Sequence, residues 1–329
     1  MKYRTITPLM AFILFACAGQ AQTFSIIDSS IFTPEQKTIY LFKNQREDKL
    51  ILFKTDLKVN TDGIPTSYHP QDLRGDSIAL NSILNAVFVY RSRDNINLSV
   101  PRPLTKYSKP ERSKMAAEAY SVIEQWRDAN YDSILPGYRI AWKNVLVESK
   151  GKPCILTSGP YKGYYASATA LKNNLTTNKG ECSCNDQVNP FEVPTIVLAK
   201  NGKNAKNPIR TYGGSVGDLA IAYNTKNKKL VYAIVGDVGP AGNLGEGSVI
   251  LNMKLKGKDT FPVKRKDTNN LTISGDVVIC IIPGSRNYNP EKPYSQANIQ
   301  KRILMWLDQQ GFPNESDLIA FLEKQKSAL

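Results

Sequence analysis

The chain has 329 residues and an apolar fraction of 41%, enough for a folded core, which excludes a disordered or low-complexity protein. Its 43 Lys and Arg outweigh 29 Asp and Glu, for a net charge of +14, a field that draws polyanions; nucleic acid is nonetheless excluded, because no recognition helix or aromatic–basic platform accompanies the charge. His69 is the one histidine, so serine or cysteine hydrolase chemistry would rest on that single base and is a poor reading, a zinc site is short of histidine ligands, and neither metal nor cofactor is expected.

Residues 1–21 read as a signal peptide: Lys2 and Arg4, an apolar run over 9–16, then small residues around Ala18 and Ala21. That run is too short to cross a bilayer, and no transmembrane span is expected further on. The protein is therefore expected to be exported, to the periplasm or the medium. Leu14-Phe15-Ala16-Cys17 approximates a lipoprotein box; the lesser reading is a lipid anchor at Cys17 and an outer-membrane lipoprotein. The leader carries two basic and no acidic residues, so the mature chain keeps +12. Its four cysteines, Cys154, Cys182, Cys184 and Cys280, predict at least one disulfide in an oxidising compartment, with the pairing open. A bond between Cys182 and Cys184 would be strained, so each is expected to reach elsewhere, towards Cys154 or Cys280.

Strands are predicted at 38–42 and 49–59, the second ending at the turn Asn60-Thr61-Asp62-Gly63. Residues 98–150 break the β pattern. Pro101, Pro103 and Pro110 precede a helix over 111–130, where Met115, Ala119, Val122, Ile123 and Trp126 share one face. This is read as a helical insertion into one β domain comprising 22–97 and 151–312. Further strands are predicted at 164–167, 195–199, 219–223, 230–235, 249–255 and 277–282, a spacing that favours an all-β barrel or sandwich over a parallel α/β sheet. Helices follow at 295–309 and 317–325, the latter within a C-terminal segment 313–329. The fold class is thus mainly β, a β-barrel with a helical insertion and C-terminal helices. The turn at Asp237-Val238-Gly239-Pro240 also resembles double-psi β-barrels. Lysine clusters at 200–210, 226–229, 254–258 and 264–266 are read as loop tips that blunt strand edges.

The segment 231–251, VYAIVGDVGPAGNLGEGSVIL, carries the chemistry. A strand leads to Asp237 and a loop punctuated by Gly236, Gly239, Gly242 and Gly245; Glu246 then precedes a second β-branched run. Two carboxylates at the mouths of successive strands can face one cleft, as glycoside hydrolysis requires. The structural alternative is a hairpin whose acids cap backbone amides.

GDVGPAGNLGEGSV closely resembles the signature of the glycoside hydrolase family 75 chitosanases. Residues 50–70 (LILFKTDLKVNTDGIPTSYHP), 163–171, 193–199, 216–223 and 277–285 resemble other family segments in the same order. The resemblance implies an exported, inverting endo-glycosidase that hydrolyses β-1,4 bonds of chitosan-type amino-sugar polymers. It makes Glu246 the general acid, with Val249 and Ile250 as an apolar wall, and Asp237 the general base, ionised in a wet loop. The two carboxyl groups of an inverting enzyme stand roughly 6.5–9.5 Å apart. Asp62, Tyr68, Asp218 and Ser248 are candidate substrate-binding residues, each with a structural alternative: a turn for Asp62, core for Tyr68, a cap for Asp218, a turn hydroxyl for Ser248. His69 is expected to be structural. Because chitosan is a polycation, the reading requires an acidic ring around the cleft, for which Asp62, Asp186, Glu192 and Asp218 are the candidates. Two other readings stand beside it: a glycosidase acting on peptidoglycan, and a non-catalytic envelope protein that binds glycans.

Overall fold

The computed structural model describes residues 23–174, 182–203 and 206–325; the predicted leader at 1–21 and Cys17 lie outside them. Strands β1 (Ser25–Phe32), β2 (Lys37–Lys43) and β3 (Lys49–Asn60) form an antiparallel meander. Strands β4 (Val87–Arg91), β5 (Ile96–Asn97) and β6 (Tyr138–Trp142) make a separate small sheet, and β7 (Glu148–Ser149) pairs with β8 (Lys152–Pro153). The remaining strands are β9 (Thr195–Ala199), β10 (Leu219–Asn224), β11 (Lys229–Gly239), β12 (Glu246–Ser248) and β13 (Ile273–Ile281).

The order β3-β12-β9-β11-β10-β13 closes on itself through β13–β3 pairing, giving a six-stranded barrel. Two of its pairs, β12–β3 and β9–β11, are parallel and the others antiparallel. Alternation along the strands sorts side chains to its two faces. Ile51, Phe53, Ile196, Leu198, Ala220, Ala222, Ala233, Val235 and Ile279 meet in one buried cluster. Leu50, Leu52, Leu219, Ile221, Ile234 and Val278 turn the other way, under the C-terminal helices.

Helix α1 (Lys109–Asp128) starts at a capping box between Ser108 and Glu111 and buries Ala119, Val122, Ile123 and Trp126. Ala119, Val122 and Ile123 pack with Val87, Val89, Leu84 and Leu98 into a core of their own. Because β4 pairs with β6, the boundary predicted at 97/98 falls inside this unit. Short helices α2 (Pro208–Thr211), α3 (Val249–Lys256) and α4 (Arg265–Asn269) lie between barrel strands. Helices α5 (Gln296–Gln309) and α6 (Glu315–Gln325) fall where C-terminal helices were predicted, α5 capped by Ser295, and bury Ile299, Ile303, Trp306, Leu318 and Leu322.

Two predicted strands are corrected. Residues 164–167 make only isolated bridges, Tyr165 with Ile155 and Ser167 with Leu146. The stretch predicted as a strand at 249–255 is α3: Ser248 caps its N-terminus and Gly257, at φ 66°, ends it in the left-handed region. Lys254 and Lys256 therefore lie on a helix and Arg265 and Lys266 on α4 rather than at hairpin tips. A disulfide joins Cys154 to Cys182, as the count predicted, while Cys184 and Cys280 are free thiols. Among the described residues no helix is long and apolar enough to cross a membrane.

Candidate active site

Strand β9 brings the two predicted catalytic carboxylates together. Val197 is the register partner of Asp237 on β11 and, on its other side, of Glu246 on β12. Residues in register across a sheet share a face, so both acids project on the same side, their Cα atoms two strand spacings apart, about 9.5 Å.

That shared face depends on a bulge. Val231, Ala233 and Val235 point into the barrel core, and uninterrupted alternation would send Asp237 after them. The register shifts between Val235 and Asp237, and Gly236 supplies the extra residue, turning Asp237 outward. Only glycine fits there, since a Cβ at Gly236 would lie 2.5 Å from Thr195 Cγ2. On β12, Gly247 faces inward, where a Cβ would sit 2.8 Å from Leu251 Cδ2, and Glu246 accordingly faces out. The Glu246 carboxyl leans across Val197 towards β11: its Oε2 lies 3.1 Å from the place a Cβ of Gly239 would occupy. Gly239 is two residues beyond Asp237, roughly 7 Å along the strand.

The two acids have different surroundings. Asp237 Oδ1 accepts hydrogen bonds from the amides of Ala170 (3.0 Å) and Val238 (2.8 Å), and Oδ2 accepts one from Asn60 Nδ2 (3.0 Å). Burial pushes its pKa above the usual carboxylate range, while these donors pull it down. Its environment is made to receive a carboxylate, by two backbone amides and one side-chain amide around a residue on β11 rather than in the loop predicted. Glu246 has one donor, Asn243 Nδ2 at 2.8 Å to Oε1. Burial raises its pKa too, opposed by Asn243 and Lys58 and reinforced by Asp237 and Glu35. The expected apolar wall is not the cause, since Val249 is packed with Ile64, Leu80, Met253 and Leu271.

A third carboxylate belongs to the site. Asn60 Oδ1 accepts the amide of Asp62 (3.0 Å) while its Nδ2 holds Asp237, so one side chain ties the Asp62 turn to the pair. Tyr68 donates its hydroxyl to Asp62 Oδ1 at 2.6 Å and receives Asn81 Nδ2 at 3.1 Å. Burial, then Asp237 and Glu246, push Asp62 up to about 7, against the Tyr68 hydrogen bond and the charge of Lys143. The charges of Asp237 and Glu246 thus both reach Asp62. Tyr68 is 1% exposed, the core position given as its alternative, from which it orients Asp62.

Two candidates have other duties. Asp218 is fully buried, accepts the amides of Ser215 (2.8 Å) and Arg286 (3.0 Å), and pairs with the Arg286 guanidinium at 3.2 Å. Ser248, equally buried, accepts the Thr195 amide (2.9 Å) and caps α3 through Leu251 (3.4 Å). Neither is presented to a ligand. His69 accepts the Gln71 amide and packs edge-on against Tyr164, a structural role as expected. Sequence reasoning passed over Asn60 and Asn243, and over three lysines: Lys58 beside Glu246, Lys143 beside Asp62 and Lys172 beside Asp237. Among the described residues no three His, Cys, Asp or Glu side chains are grouped so as to hold a metal ion. No protein-family model matches the chain, and no curated protein is significantly similar to it.

Proposed function

We propose that the protein is an inverting endo-glycosidase hydrolysing β-1,4 bonds of an amino-sugar polymer. The observation that carries this reading is the placement of Asp237 and Glu246 on one face, both flanking Val197. Glu246, desolvated and with a single neutral donor, is suited to hold a proton and deliver it to the glycosidic oxygen. Asp237, held by three N–H donors, is suited to stay a carboxylate and take a proton from the attacking water. Asp62 supplies a further negative charge beside the positive charge that develops on the sugar ring.

The resemblance to family 75 chitosanases supports this division of labour and names a chitosan-type substrate. The local charge supports the second polymer instead. Of the acidic ring required for a polycation, Asp62 stands at the site and Asp186 acts, with Asp237, on Lys172, but Asp218 is spent on Arg286 and Glu192 bonds to Asn189. Lys58, Lys143 and Lys172 sit among the carboxylates of Asp62, Asp186, Asp237, Glu246 and Glu35, cations that a polycation would meet unfavourably and an anionic glycan such as peptidoglycan favourably. A non-catalytic glycan binder has no use for two desolvated acids turned to one face, one of them by a bulge. Reducing-end release from chitosan, chitin and peptidoglycan by wild type and Glu246→Gln tests the proposal: release by the wild type alone supports it, and release from none by either protein leaves the binding protein.

A further inference from the structure

Lys143 reaches the site from outside the barrel. It follows β6, the last strand of the small sheet that packs with α1, and its amide donates to Ala86 O. Its side chain turns back over the Phe88 ring, 4.4 Å from the centroid, and Nζ donates to Leu84 O at 2.9 Å. That uses one of three ammonium donors. The same stretch is stitched to the site, because Asn85 hydrogen-bonds Asn81, and Asn81 holds the Tyr68 hydroxyl that binds Asp62. Lys143 is half-buried, and its charge acts on Asp62. Structural needs do not require a cation here: the carbonyl of Leu84 would be satisfied by any N–H or by water, and the ring beneath by an apolar chain.

Resting on the glycosidase reading above, we propose that Lys143 is a specificity-determining residue that pairs with a carboxylate carried by the sugar next to the scissile bond, so that the substrate is an acidic amino-sugar polymer rather than a free-amine one. The arrangement makes chemical sense beside Asp62. A substrate carboxylate approaching three acids would be repelled without a cation among them, and a desolvated ammonium attracts it more strongly than an exposed lysine does. Burial lowers the Lys143 pKa to about 8, so the side chain is still mostly an ammonium near pH 7, and an arriving anion raises that pKa again.

The test is binding by the Glu246→Gln protein, which should not cut its ligand. The probe is a peptide-free glycan strand of N-acetylated amino sugars bearing lactyl carboxylates, compared with the same strand after its carboxyl groups are converted to methylamides. The carboxylate strand should bind at least about tenfold more tightly, a preference of about 1.4 kcal/mol. Adding Lys143→Met should bring the ratio near one, and Lys143→Arg should keep most of it. A ratio unchanged by Lys143→Met, a ratio of one or less without that change, or no binding of the carboxylate strand overturns the proposal. So does equally tight binding of polygalacturonate, which carries carboxylates without amino sugars and would mark a general anion site. Loss of hydrolysis with the ratio intact counts against the glycosidase reading and leaves this one standing.

Discussion

Gly239→Ala probes the geometry of the acid pair without removing either acid. The added Cβ would lie 2.9 Å from Val197 Cγ1 and 3.1 Å from Glu246 Oε2. Val197 is 6% exposed and sits in the middle strand of the site, so it cannot retreat far. The carboxyl of Glu246 must move instead, against its 2.8 Å hydrogen bond from Asn243. Overpacking of this size costs about 1–3 kcal/mol, seen as a Tm lowered by several degrees in a domain this large. Displacement of a reacting group by a fraction of an ångström to 1 Å lowers turnover by roughly 10- to 100-fold. Gly242→Ala is the control, because a Cβ there meets nothing within 4 Å. The assay is initial-rate reducing-end release on the polymer that the wild type cleaves best, with thermal melts of the same preparations. Turnover by Gly239→Ala within twofold of wild type would refute the placement of the Glu246 carboxyl beside β11. Equal losses in Gly239→Ala and Gly242→Ala would do so as well, by showing that the loop responds to any added methyl.

Asp62 predicts a pH dependence of stability. Its folded pKa of about 7 lies above the ordinary aspartate value of 3.8, so the stability linked to its proton is present below about pH 4 and is lost as pH rises through 7; Asp62→Asn should melt near the wild-type temperature at pH 4 and above it at pH 8, and a constant difference across that range would contradict the assignment. Ser248→Ala removes the cap of α3 and strands the buried Thr195 amide, costing about 2–4 kcal/mol in denaturant unfolding while glycan affinity per folded molecule is retained; an affinity loss without a stability loss would restore Ser248 to the binding residues. Alkylation of the unreduced, denatured protein should label Cys184 and Cys280 but not Cys154 or Cys182, and breaking the bridge, which closes a 28-residue separation, should cost about 3–4 kcal/mol.

The barrel was legible where β-branched runs stand between turn residues: the strand predicted at 195–199 coincides with β9, and that at 219–223 lies within β10. Strand β1 went unseen because its sequence, SIIDSSIF, is largely exposed and lacks a buried face. The helix α3 was misread because Val249, Ile250 and Leu251 look like a strand, although Ser248 and Gly257 are ordinary helix-end residues. The two acids could be picked out by their glycine-rich loop, but not the reason they meet. That reason is a shared register partner, Val197, contributed by a strand not adjacent to either in sequence, and a bulge whose position no periodicity announces. Asn60 and Lys143 were invisible for the same reason. One sits in an ordinary Asx turn and the other at the end of an insertion strand, and only the closed barrel brings them to Asp237 and Asp62.

The most direct test of the central claim is the anomeric configuration of the first product, followed by proton NMR during hydrolysis of a β-1,4-linked amino-sugar oligomer. The inverting roles proposed for Asp237 and Glu246 predict that the α-anomer forms first and mutarotates later, with no product from Glu246→Gln or Asp237→Asn. A β-anomer formed first, or product release that survives both substitutions, would contradict it.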